Sequence, residues 1–192
     1  SRVSRGLGDV YKRQSIIEKI ISKNFLDECV ESSDYKDFSV QDEWKHNVDD
    51  FSFDGLIDIH PALCDFNKAK NNNVRNINPI FTEKILPYVE SIFYNDMVSA
   101  AGQYFYPPTG YMSWHTNHRF PCHRVYITYA SEDKKSFFRY RDPETGNIIT
   151  DYDDKGITVR KFFVPFYPPY FWHCVGSECD RISFGFRLLP KN

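Results

Sequence analysis

The chain has 192 residues, which is enough for one ordinary domain and too few for two. Its 24 basic and 26 acidic residues give a net charge of −2, which disfavours a non-specific nucleic-acid binder, because such proteins are usually strongly basic. With 41% hydrophobic and 26% charged residues, the composition is typical of a globular domain and excludes wholesale disorder. Aromatic residues reach 17% beside only 9 glycines, and this balance favours strands over long helices.

The sequence indicates neither a membrane nor an oxidising compartment. No run of 18 apolar residues is present, which excludes a transmembrane helix, and the basic N-terminus lacks the apolar segment of a signal peptide. An odd number of cysteines without a Cys-x-x-Cys pair argues against a disulfide framework or a zinc ribbon. We therefore expect a reduced, intracellular protein of the cytoplasm. The cysteines are Cys29, Cys64, Cys122, Cys174 and Cys179.

The first 14 residues differ in character from the rest of the chain. They resemble a translated sequencing-adapter sequence of the kind found in metagenomic reading frames, so we expect residues 1–14 to be a non-native or disordered tail. Residues 15–192 then form a single domain. Its first element is a helix over residues 15–30, because apolar side chains recur there at helical spacing. Ser15 and Glu18 match the capping-box pattern at its start.

The next stretch is polar and is followed by a second helix. Residues 31–79 predict loops, with one short strand near residues 55–60. Apolar residues at helical spacing predict a helix from residue 82 to about residue 101, with Thr82 as its cap. Pro87 falls beyond the first turn of this helix, where it is expected to introduce a kink.

After residue 102 the pattern changes to short strands. Segments rich in aromatic and β-branched residues alternate with Pro/Gly turns at a spacing of roughly 8–12 residues, which is typical of a sandwich or barrel. Helices first and strands later predict an α+β protein, mainly β, with the N-terminal helices packed on one sheet. The predicted strands carry the segments YFY, RVYITYA, SFFRYRD, ITVRKFFVPF and RISFGFRLL.

Histidines are concentrated in this β region. His115 and Asn117 share one face of a strand because side chains alternate along it, and a later strand would bring His173 beside them. Two imidazoles and an oxygen ligand on one face form the facial triad of non-haem iron sites, although two such histidines are also compatible with ordinary structural roles. His118 has the wrong strand parity for a ligand, and His123 lies in a predicted loop.

The last strand carries a candidate receptor for a carboxylate. Arg181 follows His173 by eight residues, and Ser183 lies two residues further on the same face. The planar guanidinium fork of arginine matches a carboxylate with two parallel hydrogen bonds, and a neighbouring hydroxyl adds a third donor.

At these residues the sequence resembles the Fe(II)/2-oxoglutarate-dependent dioxygenases, in particular their prolyl-hydroxylase-like branch. That family has a His-x-Asp/Glu motif, a distal His and a later Arg, often as Arg-x-Ser. The segment YPPTGYMSWHTN is similar to the branch's Tyr-Pro, Gly-Tyr and His-x-Asp series, and Arg124 falls nine residues after His115. The resemblance covers roughly residues 100–190.

The resemblance implies a double-stranded β-helix, or jelly roll, and a set of site residues. Fe(II) would be held by His115, Asn117 and His173. The co-substrate 2-oxoglutarate would place its distal carboxylate on Arg181 and Ser183, and O2 would occupy the remaining position on the metal. The implied activity is a hydroxylase acting on a small-molecule or peptidyl substrate. Separately, the near-neutral charge gives no strong nucleic-acid signal, and the lack of a long apolar run gives no membrane partner.

Tyrosines and tryptophans are expected around this site. Tyr129 keeps the parity of His115 and is the candidate for the co-substrate wall, with Tyr126 as its rival if the turn resets the parity. Tyr106 is the candidate for lining the cleft, and each tyrosine is equally compatible with a core role. The rings expected to shield the histidines are Tyr106, Trp114, Tyr129 and Trp172.

One residue departs from the family pattern: Asn117 stands where the family has Asp or Glu. An amide carries no charge, so the site should bind Fe(II) more weakly. Three interpretations follow: a neutral third ligand in a working oxygenase, a two-histidine site open to halide as in halogenases, or a non-catalytic jelly-roll binding or structural domain. The nearby acids are interpreted as solvated turn residues; these are Asp142, Asp151, Asp153 and Asp154.

Further arginines lie in strands that should flank the cleft. They would receive an anionic substrate or serve surface solubility, and they are Arg139, Arg141 and Arg160. No Gly-rich phosphate loop, Gly-x-Ser-x-Gly elbow or His-Glu-x-x-His helix occurs, so the chemistry of kinases, elbow hydrolases and zincins has no support.

Overall fold

A computed structural model describes residues 15, 17–35 and 71–191 of the chain. The predicted tail and the predicted strand near residues 55–60 lie outside these residues, as does Cys64. The helices are α1 (Lys23–Glu31) and α2 (Ile80–Ile92). The strands are β1 (Asp34–Tyr35), β2 (Asn71–Asn72), β3 (Arg75–Asn76), β4 (Asp96–Tyr106), β5 (Tyr111–His115), β6 (Cys122–Ala130), β7 (Ser136–Arg141), β8 (Ile148–Tyr152), β9 (Gly156–Val164), β10 (His173–Ser177) and β11 (Arg181–Pro190).

The strands form two antiparallel sheets. One has the order β1-β3-β4-β11-β6-β9 and the other β2-β5-β10-β7-β8, so that most hydrogen-bonded neighbours are distant in sequence. Two such facing sheets with crossed connections make a jelly roll, and the predicted fold class is confirmed. The described part of the chain contains no helix that is both long enough and apolar enough to cross a membrane.

The six-stranded sheet has two differently used faces. Its outer face packs on the helices: Ile85 and Val89 of α2 lie in one cluster with Ile127 of β6 and Phe184 of β11. Its inner face meets the five-stranded sheet across a second cluster that includes Tyr106, Met112, Phe138, Phe171 and Val175. Because side chains alternate along each strand, the inner positions of β4, β6 and β11 face the space between the sheets.

Both predicted helices differ from their expected bounds. A helical turn over residues 17–20 is separated from α1 by Ile21 and Ser22. The Ser22 hydroxyl accepts a hydrogen bond from the Phe25 N–H at 3.2 Å and caps α1, which begins later than the predicted helix. A serine satisfies backbone donors best at a helix start, and this favours a break at that position.

The second helix ends nine residues before the predicted end. Residues 96–101 belong to β4, which forms a long ladder with β11, and this pairing outweighs the helical spacing of the apolar side chains. Thr82 is not the cap; it is buried, and its hydroxyl donates to Oε1 of Gln103 at 3.0 Å. Pro87 lies inside α2 as expected.

Strand β8 has no counterpart in the sequence prediction. Its side chains are exposed or half-buried along its whole length, so it lacks the alternation of apolar and polar residues that marks a half-buried strand. It exists because β7 pairs with it along five residues at the edge of the sheet.

Candidate functional site

The two histidines of the predicted site are cross-strand neighbours. His115 ends β5 and His173 begins β10, and the antiparallel register sets them directly opposite each other. Their ring centroids are 4.2 Å apart, and both side chains are buried. The register shifts within this pairing, and such irregularities re-aim side chains near functional sites. A separation of 58 residues in sequence is thereby closed by a single pair of strands.

Backbone carbonyls hold both imidazoles in one tautomer. Nδ1 of His115 lies 2.7 Å from the Ser113 carbonyl oxygen, and Nδ1 of His173 lies 3.0 Å from the Phe171 carbonyl oxygen. A carbonyl oxygen only accepts, so Nδ1 carries the proton in each ring and donates it. Each Nε2 therefore keeps its lone pair, which is the arrangement of a metal-ligating histidine held by a backbone acceptor.

Burial keeps His173 neutral. Loss of hydration lowers the pKa of this imidazole well below its usual value, and the neighbouring His115 and Arg124 lower it further, while the hydrogen bond to the Phe171 carbonyl opposes the shift. The neutral imidazole is the form that binds a metal, so no proton has to leave Nε2 first.

Asn117 joins the two histidines, as the sequence predicted. It is buried in the turn after β5, and its Nδ2 lies 3.1 Å from Nε2 of His173, to which it donates. Rotation of this amide about its last side-chain bond would turn the carbonyl Oδ1 towards the same place. Within the described residues, no group of three or more His, Cys, Asp and Glu side chains is placed to hold a metal. What the described residues offer a metal at this place is two imidazole nitrogens, with a neutral amide where a carboxylate would complete the set.

A cavity of about 210 Å³ opens between the sheets beside this group. Its size is well above the roughly 10–15 Å³ that one water molecule needs on the same measure, so it has room for a small organic molecule. Asp and Glu do not occur among the described residues that line it. These are Ala101, Gly102, Tyr104, Tyr106, Met112, His115, Asn117, Phe120, Arg124, Tyr126, His173, Val175, Ser183, Gly185 and Arg187.

Some of the predicted site residues line the cavity and others do not. Tyr106 and Ser183 line the cavity, and so does Tyr126, the rival for the co-substrate wall. Tyr129 packs instead against the cluster beneath the helices, on the opposite face of the sheet. The pairing of β6 with β9 and β11 has no register shift. The even-numbered Tyr126 therefore takes the cavity side expected for the odd-numbered Tyr129 because of the turn between His115 and β6.

Arg181 is not at the cavity wall. It is buried, its Nε donates to Oδ2 of Asp153 at 2.9 Å, and its Nη2 donates to the Thr128 hydroxyl at 3.4 Å. The sequence predicted Arg181 as the carboxylate receptor, but in the structure Asp153 already occupies part of its guanidinium fork. Asp153 lies 28 residues away in sequence and is brought to Arg181 only by the fold, so local sequence patterns could not indicate this pair.

Asp153 is a buried anion rather than a solvated turn residue. Its carboxylate binds both Arg181 and Arg160, and it accepts a hydrogen bond from the Ser136 hydroxyl at 2.5 Å. Burial alone would raise the pKa of this carboxyl, but the two guanidinium groups and the hydroxyl outweigh it and lower the pKa to about 2. Arg160 also pairs with Asp151 at 2.7 Å, so it does not flank an open cleft.

Arg124 is a charged residue of the site that the sequence analysis did not assign to it. It lines the cavity and is only 3% exposed. Its Nε is buried without a hydrogen-bond partner among the described residues. The sequence contained a signal for this position, because alternation along β6 sets Arg124 and Tyr126 on one face. Arg187, directly across the ladder on β11, lines the same cavity.

Phenylalanines, rather than the expected Trp114, Tyr129 and Trp172, surround the distal histidine. The ring centroids of Phe138, Phe171 and Phe162 lie 5.4, 5.5 and 6.0 Å from that of His173. The two tryptophans are buried, but they are not among the lining residues. These rings give one side of His173 an apolar, aromatic surrounding.

The remaining candidates lie elsewhere. His118 hydrogen-bonds the Thr116 hydroxyl through Nδ1 at 2.8 Å, and the ring of His123 packs on Phe163 at 5.1 Å. Neither histidine lines the cavity. Cys174 is fully buried, and burial raises the pKa of its thiol, as expected for a structural cysteine.

Comparisons with known proteins give only distant likenesses. The sequence matches no protein-family model and no curated protein. Among solved structures, a prolyl-4-hydroxylase from Pseudomonas putida is similar at 14% identity and a TM-score of 0.42, over 65% of this chain and 74% of that one. A protein described as a predicted oxalate decarboxylase from Thermotoga maritima is similar at 9% identity and a TM-score of 0.29, over 69% and 97% of the two chains. These values carry no argument about function, which depends on the site itself.

Proposed function

We propose that this protein is an Fe(II)- and 2-oxoglutarate-dependent oxygenase, and specifically a hydroxylase. One observation carries the proposal: His115 and His173 lie side by side on a cavity wall with both Nδ1 atoms tied to backbone carbonyls. This arrangement leaves two Nε2 lone pairs free of protons in a water-poor pocket, which is what a metal with nitrogen ligands requires.

The chain's own residues would bind, orient and shield the reactants. His115 and His173 would hold the metal, and Asn117 would turn its Oδ1 towards it as a neutral third ligand. Bound Fe(II), with 2-oxoglutarate and O2, would supply the oxidising chemistry. The phenylalanines around His173 would exclude water, which protects the reacting groups from side reactions. The substrate would be a small molecule or a peptide, in the reducing cytoplasm where the four described cysteines stay thiols.

Metal binding and turnover test the proposal. Anaerobic addition of Fe(II) and 2-oxoglutarate to the purified protein should give a weak visible charge-transfer band, and candidate substrates should then yield succinate in air. His115→Ala should abolish the band, whereas His123→Ala, a matched change outside the cavity, should keep it. Absence of both band and succinate in the wild-type protein would rule the oxygenase out.

A second function is favoured because none of the described residues places a carboxylate beside the histidines. Asn117 donates to Nε2 of His173, the lone pair that a metal would need, so a non-catalytic binding domain is the alternative. Asn117→Asp separates the two functions, because an added carboxylate should strengthen metal binding sharply at a site that already binds metal. A wild-type protein that holds near-stoichiometric iron-group metal would exclude the metal-free binding domain. Chloride-dependent formation of a halogenated product would instead identify a halogenase.

A further inference from the structure

The space between the sheets contains two kinds of buried arginine. Arg160 and Arg181 share the carboxylate of Asp153 and are thereby neutralised within the fold. Arg124 has no such partner: among the described residues it forms no ion pair, and its Nε is buried without a hydrogen bond. The chain thus compensates two of these charges internally and leaves the third facing the cavity.

A buried guanidinium without a counter-ion is strongly unfavourable. None of the described residues that line the cavity is an acid, so the cavity wall itself cannot neutralise Arg124. A negatively charged molecule that enters the cavity would supply the charge that the described residues do not. A buried arginine that lines a cavity and has no counter-ion among the described residues is therefore a sign of an anionic ligand.

A second cation strengthens this field. Arg187 lies across the ladder from Arg124, and its Nε is likewise buried without a hydrogen-bond partner in the described ranges. Its guanidinium stacks over the Phe120 ring at 4.9 Å, which holds it at the cavity wall. Two arginines without an acid make the cavity attractive to a negative group.

We propose that Arg124 is the receptor for the carboxylate of a small organic acid that occupies the cavity, with Arg187 adding positive charge beside it. The guanidinium fork matches a planar carboxylate through two parallel hydrogen bonds. The apolar walls at Met112 and Val175 suit a short carbon skeleton. The inference rests on the proposed function, since 2-oxoglutarate is such an acid, while an acidic substrate is the other source of the same group.

Arg181 does not take this role in the structure. One of its nitrogens, Nη1, is also without a hydrogen-bond partner among the described residues, but Arg181 is not part of the cavity lining. The carboxylate of Asp153 already lies against its Nε and offsets its charge. Arg124, in contrast, lines the cavity and carries a charge that no described acid compensates.

Titration calorimetry on the metal-free, chelator-treated full chain tests the proposal. The probes are 2-oxoglutarate, glutarate, inorganic phosphate and the uncharged diamide of glutarate. Arg124→Gln removes the charge at similar length, and Arg124→Lys keeps the charge but loses the fork. Arg139→Gln is the matched control, because it makes the same charge change on β7, where Nε donates to the Thr150 hydroxyl outside the cavity.

Both acids should bind the wild-type protein, and Arg124→Gln should weaken them at least about tenfold, since hydrogen bonds to charged groups are the strong ones. Arg124→Lys should be intermediate, and Arg139→Gln should change affinity less than twofold. Affinity unaltered by Arg124→Gln, an equal loss in Arg139→Gln, binding of phosphate alone, or no binding of either acid would each overturn the proposal. If circular dichroism shows that the Arg124→Gln variant is unfolded, the Arg124→Lys variant is used instead. Acid binding by Arg124→Lys that equals the wild type would then overturn the proposal.

Metal addition separates the two sources of the carboxylate and the two proposals. If anaerobic addition of Fe(II) tightens the binding of 2-oxoglutarate but not of glutarate, the carboxylate belongs to the co-substrate. If Fe(II) leaves the affinity for both acids unchanged, the carboxylate belongs to an acidic substrate. Binding of Co(II), followed by its visible absorption, is scored independently. A protein that binds Co(II) but no acid overturns the receptor alone, and one that binds acids but no metal overturns the oxygenase alone.

Discussion

Replacing Asp153 with asparagine should destabilise the fold without touching the cavity wall. The change leaves Arg181 buried without its counter-ion, and Arg160 with only Asp151. Removing one partner of a buried ion pair costs about 3–5 kcal/mol. The carboxyl's own titration gives a similar size, because lowering its pKa from 3.8 to about 2 corresponds to about 2.5 kcal/mol in favour of the charged form.

Urea unfolding at pH 7 measures this cost. With a slope of about 2 kcal/mol per molar urea, a loss of roughly 3 kcal/mol lowers the midpoint by about 1.5 M. Asp154→Asn is the matched control, because the neighbouring carboxylate is exposed and its ion-pair partner among the described residues is the surface Lys134, so its removal should change little. Equal midpoints for the two variants would refute the view that Asp153 neutralises the buried arginines.

The depressed pKa of Asp153 also predicts how the stability difference between wild type and Asp153→Asn depends on pH. Its pKa is depressed in the folded protein, so its contribution is complete above the unfolded value near 3.8 and is lost as the pH falls through about 2. The difference in unfolding free energy between wild type and Asp153→Asn should therefore stay constant from pH 7 to 5 and shrink between pH 4 and 2. A difference that grows on acidification would contradict the assigned ion pair.

Further changes test the cavity, the helix and the aromatic wall. A Cβ at Gly185 would lie 3.0 Å from the Tyr126 ring, so Gly185→Ala should crowd that ring and weaken organic-acid binding several-fold in calorimetry; unchanged binding would show that the ring yields freely. Ser22→Ala removes the cap of α1 and should cost about 1 kcal/mol in urea unfolding, which a midpoint equal to wild type would disprove. Phe138→Ala should cost about 3–5 kcal/mol, and a smaller loss would mean that neighbouring rings collapse into the space.

Residues close together in sequence gave the most reliable predictions. The alternation of aromatic and β-branched side chains predicted a mainly β fold, and strand parity placed His115 and Asn117 on one face. The prediction that a later strand brings His173 beside them required only that antiparallel strands pair. Local patterns failed where two signals competed, as at residues 96–101, where helical spacing was overridden by the ladder with β11.

The fold class, the pair of histidines and the neutral Asn117 near them could be predicted from the sequence alone, because these depend on side-chain alternation and residue type. Whether Arg124 or Arg181 lines the cavity could not be predicted in this way, because it depends on contacts between distant parts of the chain. Arg181 and Arg124 are equally plausible receptors as residue types, but the fold brings Asp153 to the first and no acid to the second among the described residues. Charge compensation depends on distance in space, and an acid 28 residues away in sequence becomes a neighbour only when the sheets close.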